Sequence, residues 1–473
     1  MSTEEKNIRQ ILENMAKGKD SGEKLTYDRD TKSIRTNPSY HEENNAGTIN
    51  LTAEDFRFAA KGVDSSGHIV ITEDVIKNLT DPAEIKPVHF TCWDNGDVYS
   101  MIGVDKSQCN IHGTVRFLKE GSQESEFDIG NADDRVRIFV RHRKNRKSLP
   151  GKSTEVRGYV LENGNWIETP VEVVPVEDEI FSRNIGLIET KAISSKNVAL
   201  FGAGSVGSEI CSALAKAGVD DFSIMDNDRL KVCNISRHSA GLPHVGRRKP
   251  NAMAQIVREI NPYSRVTTSE KEICWENIEE VRHFINKAHI VICTTDNRKS
   301  RLIINRECVA AGKTCIYAGL FRRAYGGQVF RVYPRISPCY QCFCMLLPEQ
   351  NDKEISNPEQ ARRLGYSDRP VAVEPGLAND ISPISNMVTK LAIQELVKGT
   401  VTTLRSLDDD LVAPWYLWLN RRMEGTQYED LEPLEFNVGG MHILRWYGID
   451  AKCQPDCPVC GDFEGHLAKC ASV

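Results

Sequence analysis

From about Glu177 onward the apolar residues fall into short blocks that alternate with amphipathic stretches. Blocks rich in β-branched and aromatic residues at Val198 to Phe201, Phe222 to Met225, Arg265 to Thr268, Ile290 to Cys293 and Thr314 to Ala318 predict strands. Between them, apolar positions three and four apart predict helices at Ser205 to Lys216, Asn251 to Ile260, Ile278 to Lys287 and Ser300 to Ala311. This alternation predicts a doubly wound, mainly parallel α/β sheet with helices on both faces and ligands at the carboxyl ends of the strands. Beyond Gly327, QVFRVYP predicts one more strand, and Pro383 to Lys398 carries helical spacing. The remainder reads as a tail ending in a Cys-rich segment.

Before Glu177 the pattern is different. Residues 1–50 are polar, with helical spacing only near Ile8 to Met15 and a loop-like run from Thr36 to Gly47. They read as a weakly ordered lead. In residues 51–176 the blocks HIVIT, TVRFL, VRIFV, EVRGYVL and WIETPVEVV, punctuated by Gly, Asn and Asp, predict an α+β or mostly β accessory domain of unassigned chemistry. Residues 177–473 then form the core domain with its tail. A chain of 473 residues is long enough for two or three such units.

Composition narrows the setting. Hydrophobic residues make up 40% and charged residues 27%, and no run approaches the roughly 18 apolar residues that span a membrane. The opening MSTEEKNIRQ lacks the apolar core of a secretory signal, so a cytoplasmic protein without a membrane partner is expected. A net charge of −6 argues against nucleic acid as a partner, and the basic cluster Arg141 to Lys147 reads as a solvated loop between strands. Fifteen cysteines in such a chain direct attention to their spacing.

Five groups of residues carry chemistry. Gly202, Gly204 and Gly207 form G-x-G-x-x-G between a predicted strand and helix, where backbone and helix N-terminus can cradle a phosphate. Asp226 ends the next strand, placed to accept hydrogen bonds from ribose hydroxyls. These two features alone suit NAD and ATP equally. Asp228, Asn234, Arg237 and Lys249 follow, and cations beside the cradle favour a triphosphate, whose charge builds up on departing pyrophosphate during acyl adenylation. At the end of a later strand, Asp296 and Asn297 stand where a carboxylate can ligate Mg²⁺ or, alternatively, cap the helix near Ser300. Last, Cys339 and Cys342, with Cys457 and Cys460, form two CxxC pairs 118 residues apart, the ligand set of a closed structural Zn²⁺ site.

In order, Phe181-Ser-Arg183, GAGSVG, Asp226-Asn-Asp228, Asn234-Ile-Ser-Arg237, Gly246-x-x-Lys249, Thr295-Asp296-Asn297 and the paired CxxC resemble the E1-like (ubiquitin-activating, ThiF and MoeB type) adenylating enzymes. The resemblance covers about Phe181 to Gly461 and implies a Rossmann-like ATP-binding sheet with a zinc knuckle. It implies adenylation of the C-terminal glycine of a ubiquitin-like protein, followed by thioester transfer to an E2-like partner. By similarity Asp226 holds the ribose, Asn234, Arg237 and Lys249 bind the phosphates, Asp296 ligates Mg²⁺, and Arg183 reaches the neighbouring subunit's site in a homodimer. A standalone activator with an additional N-terminal domain is most similar to the E1 components of bacterial ubiquitin-like conjugation operons linked to antiphage defence. Two departures stand out: His238 replaces the usual Gln after Arg237, and Arg369 to Gly376, where the family places a thioester cysteine, has none. Cys344 and Cys315 are the substitute thiols in the core, and Cys92 and Cys109 lie in a region without a recognisable E2 site. The segment Pro348 to Pro375 is expected to shelter the acyl adenylate. An NAD(P)-dependent oxidoreductase and a catalytically silent scaffold are the competing readings.

Overall fold

The computed structural model describes residues 26–28, 33–35, 68–77, 85–92, 98–102, 109–118, 133–144, 152–188, 190–346, 376–400, 407–422, 429 and 443–461. The chain divides into two compact units, 1–57 with 144–152, and 58–143 with 153–473. In the first, β1 (Thr26–Asp28) and β2 (Ser33–Arg35) pair antiparallel. The helical stretch expected at Ile8 to Met15 lies outside the described residues, as does the segment Pro348 to Pro375.

The second unit holds two eight-stranded sheets. The N-terminal one comprises β3 (Ile69–Thr72), β4 (Ile85–Cys92), β5 (Val98–Ser100), β6 (Ile111–Leu118), β7 (Val136–Lys144), β8 (Lys152–Glu162), β9 (Asn165–Thr169) and β10 (Val171–Val174), in the order β10-β3-β5-β4-β6-β7-β8-β9. The block WIETPVEVV divides into β9 and β10 because Pro170 has no N–H for a ladder, although its carbonyl accepts from Ile69 N–H (2.9 Å). The basic cluster is not the expected loop as far as it is described. Arg141 to Lys144 continue β7, and Arg141 lies 3.8 Å from Glu155, while 145–147 fall outside the described residues.

The C-terminal sheet has β11 (Asn197–Phe201), β12 (Asp221–Met225), β13 (Arg265–Ser269), β14 (Ile290–Cys293), β15 (Cys315–Leu320), β16 (Gly326–Val332), β17 (Trp415–Leu419) and β18 (Arg445–Ile449), ordered β13-β12-β11-β14-β15-β16-β17-β18. The first five are parallel and the last three antiparallel. The presumed tail therefore supplies two strands of the sheet, a correction to the sequence reading. Every residue of β11, β12 and β14 is buried, as parallel strands covered on both faces must be. Helices α1 (Ser205–Ala217), α2 (Lys249–Ile260) and α6 (Ala378–Leu396) fill one apolar layer, and α3 (Ile278–Lys287), α4 (Arg298–Ala310) and α5 (Tyr340–Leu346) the other. Strand order reverses between β11 and β14, so the crevice opens beyond their carboxyl ends, where the glycine motif lies. Among the described residues no helix is long and apolar enough to cross a membrane.

Candidate active site

The floor of the crevice is the turn from β11 into α1. Gly202 has φ +95°, and a Cβ there would lie 2.9 Å from the Thr294 carbonyl carbon. At Gly207 a Cβ would stand 2.1 Å from the Gly202 oxygen, so glycine lets α1 settle onto the turn. Gly204 differs: a Cβ there would meet nothing within 4 Å, so the protein's own packing does not require glycine at the helix N-cap. Close approach of a phosphate to the backbone would require it.

The turn is held from three sides. Thr294 Oγ1 donates to the Gly202 carbonyl (2.7 Å), tying it to the end of β14. The Ala203 N–H donates to Asp226 Oδ2 (2.7 Å), whose other oxygen accepts from Asp228 N–H (2.8 Å). Burial pushes the Asp226 carboxyl up, opposed by Lys249 and these two N–H groups. The third tie is His238, which is buried. Its Nδ1 accepts from Ala240 N–H (3.0 Å), so the proton sits on Nε2 and is donated to the Ala203 carbonyl (2.9 Å). Both polar groups of the Ala203 peptide are thus fixed, and the residue that departs from the family pattern is a strut of the cradle.

The lowered pKa of His238 gives this strut a pH dependence. Burial, then the charges of Lys249 and His244, favour the neutral ring against the Ala203 hydrogen bond. The unfolded chain takes up a proton near pH 6.5 while the native ring resists, so the contribution is complete above about pH 6.5 and declines as pH falls below it. Melting temperature measured from pH 7.5 to pH 5.5, a range about that value, should fall more steeply for the native protein than for His238→Gln. Parallel curves would remove the strut.

Lys249 opens α2 and is nearly buried, its Nζ 2.6 Å from Asp228 Oδ2. Desolvation draws its ammonium pKa down, but Asp226, Asp228 and Asp296 outweigh it, and the net direction is up. Asn234 and Arg237 lie in a short 3-10 turn, Val232–Arg237. The Asn234 oxygen accepts from Lys231 N–H (2.9 Å), so its amide nitrogen is the group that can meet an anion. An Arg237 Nη would lie 3.6 Å from a Cβ on Gly376, at the entry to α6. Asp296 is exposed at the end of β14, and Asn297, not Asp296, caps α4 by accepting from Ser300 N–H (2.8 Å). That removes the capping alternative for Asp296. Sequence reading missed Arg301, which donates to the Thr295 carbonyl (2.7 Å) and the Ala318 carbonyl (2.9 Å), fixing the peptide before Asp296.

Arg183 is not part of this group. The adjoining Asn184 donates to the Lys216 carbonyl (3.2 Å), at the far end of α1 from Gly204. Thirteen residues of helix rise about 20 Å at about 1.5 Å each, beyond the reach of an arginine side chain.

Away from the crevice, Cys339, Cys342, Cys457 and Cys460 place their sulfurs within 4.8 Å of one another. Individual separations are 3.9 Å (339 to 342), 3.6 Å (339 to 457) and 3.3 Å (342 to 460). Four thiolates at about 2.3 Å from one tetrahedral Zn²⁺ would be about 3.8 Å apart, so the set fits the ion. Of the substitute thiols, Cys344 and Cys315 are both buried, and burial raises both pKa values, the opposite of what a nucleophile needs. The exposed cysteines among the described residues are Cys233 and Cys453.

Known proteins match this region. The sequence model described as the ThiF family matches residues 177–414. The chain is 33% identical over 162 residues to "Adenylyltransferase and sulfurtransferase UBA4" of Lodderomyces elongisporus, covering 34% of each protein. It is 26% identical over 184 residues to "Ubiquitin-like modifier-activating enzyme 5" of Mus musculus, covering 36% of this chain and 45% of that one. The chain thus spans less than half the length of these two curated relatives. A crystal structure of E. coli MccB with ATP overlaps 57% of this chain and 68% of its own, at 16% identity and a TM-score of 0.40. With half of its residues matched by the family's sequence pattern, the chain belongs to the ThiF family.

Proposed function

We propose that residues 177–473 form an adenylation domain that activates the C-terminal glycine of a ubiquitin-like protein with Mg·ATP. The observation that carries this reading is the convergence of the Gly202–Gly207 turn, Asp226, Lys249 and Asp296 on one crevice at the strand-order reversal. ATP would lie with its phosphates over the open Gly204 backbone and its ribose against the remaining lone pairs of Asp226. The glycine carboxylate attacks the α-phosphorus, the bond to the β-phosphate oxygen breaks, and pyrophosphate leaves with the charge. Lys249 and Arg237 offset that charge, Lys249 exchanging Asp228 for phosphate oxygen. Asp296 would hold Mg²⁺, which would supply positive charge against the phosphates. The cysteine cluster would hold a structural Zn²⁺. Residues 51–176 would form an accessory domain, linked to this one by Tyr263 donating to Asp74 (2.9 Å).

The test is exchange of labelled pyrophosphate into ATP with a panel of ubiquitin-like proteins ending in glycine. Exchange that is lost in Asp296→Ala supports the reading. ATP binding without exchange on any member overturns it in favour of a silent scaffold, and NAD(P)H oxidation without exchange in favour of an oxidoreductase. Transfer to an E2-like thiol is the proposed next step: the acyl–phosphate bond breaks, a thioester forms and AMP departs. A reductant-sensitive adduct in the mass spectrum of the same mixture locates that thiol. A place in bacterial antiphage conjugation belongs to this reading, checked by phage challenge of a strain carrying Asp296→Ala.

The position of Arg183 at the far end of α1 supports a homodimer in which it serves the partner's crevice. Arg183→Ala and Asp296→Ala chains, each inactive alone, should on mixing regain about a quarter of the native exchange, since half the pairs hold one intact site. No recovery would exclude the trans role.

A further inference from the structure

In the N-terminal sheet, Val88 and Phe90 of β4 are buried, so strand alternation puts His89 on the opposite face. Antiparallel register sets His89 directly across from His112 of β6. Their rings meet edge to face with centroids 5.1 Å apart, and their Nδ1 atoms are 3.0 Å apart. The turn leading into β7 joins them, because Arg135 N–H donates to the His112 carbonyl (2.8 Å). Asp133 and Asp134 on that turn share with both histidines the lining of a cleft of 280 Å³. Gly113 permits this crowding, since a Cβ there would lie 2.4 Å from the Val136 oxygen.

Two nitrogens bound to one divalent ion at about 2.0–2.1 Å stand about 2.9–3.4 Å apart as their angle opens from about 90° to tetrahedral. The observed separation lies inside that window, and a carboxylate-bearing turn adjoins it. We propose that His89 and His112 bind a divalent transition-metal ion through Nδ1, with water from the cleft completing its coordination. Imidazole selects Zn²⁺, Ni²⁺ or Cu²⁺ over the hard cations Mg²⁺ and Ca²⁺. Neither the cysteine cluster nor the adenylation reading is involved in this site.

Full-length protein, loaded with one equivalent of zinc so that the cysteine cluster is occupied, is titrated with Ni²⁺ by calorimetry. One further equivalent should bind, and Ni²⁺ should shield His89 and His112 from diethyl pyrocarbonate, read by peptide mass spectrometry. His112→Ala should weaken binding more than about tenfold. No further ion, or equal affinity in a His89→Gln, His112→Asn double variant of native melting temperature, would leave the two rings as a hydrogen-bonded pair and overturn the proposal. Shielding of other histidines alone would overturn it equally.

Discussion

Replacing Lys249 by methionine is expected to slow pyrophosphate exchange by about 10²–10³-fold, or ~3–4 kcal/mol of transition-state stabilisation. The size follows from its surroundings. Lys249 is nearly buried at the first position of α2, and Asp226, Asp228 and Asp296 all act on its ammonium. Without it, three carboxylates would face the proposed triphosphate with one buried cation fewer to offset the charge. Methionine keeps most of the stem's volume, so the apolar contacts of the lysine survive and the loss reports charge. Circular dichroism confirms that the variant is folded. A decrease below about tenfold would show that the ammonium serves the fold and not the reaction.

The central sheet was legible because its parallel strands, buried on both faces, leave unbroken apolar runs such as VALF before Gly202. The additions at its edge were not. The aromatic WYLWL of β17 has strand composition, but it lies after a long polar interval, and β18 joins it from a further interval of polar residues. In the N-terminal sheet β4 was hidden by Pro87 and by alternation that leaves Pro87, His89 and Thr91 exposed to some degree. At the site, spacing located the glycines, Asp226, Lys249 and Asp296 because each stands at a strand end or helix start. It did not disclose how they are held. His238 reaches Ala203 across 35 residues, and Lys249 reaches Asp228 across 21. Contacts between a crossover segment and the loop beneath it depend on how the chain closes over the sheet, which no local pattern records.

Removing the metal from the cysteine cluster should be the largest single perturbation of the fold. Cys457→Ser is expected to lower unfolding free energy by ~4–5 kcal/mol, the range reached when a metal site is lost. Cys339, Cys342 and Cys457 are at most 1% exposed, so an ion held by them would be sealed between α5 and the C-terminal segment. Burial pushes the Cys460 thiol up to about 12, so without a cation the group is protonated at neutral pH, whereas a bound divalent ion holds it as thiolate. A bound ion would therefore reinforce the attachment of the segment after β17, where β18 pairs only along β17 among the described strands and Ala451 and Val459 pack on the core beside the four sulfurs. Elemental analysis should find one zinc per chain, and a strong chelator should make the segment after Leu419 the first site of proteolysis. Cys453→Ser provides the control, since Cys453 is exposed and outside the four-sulfur set. If it destabilised the chain as much as Cys457→Ser, or if no zinc co-purified, the cluster would be a group of buried thiols whose packing, and not an ion, secures the C-terminal segment.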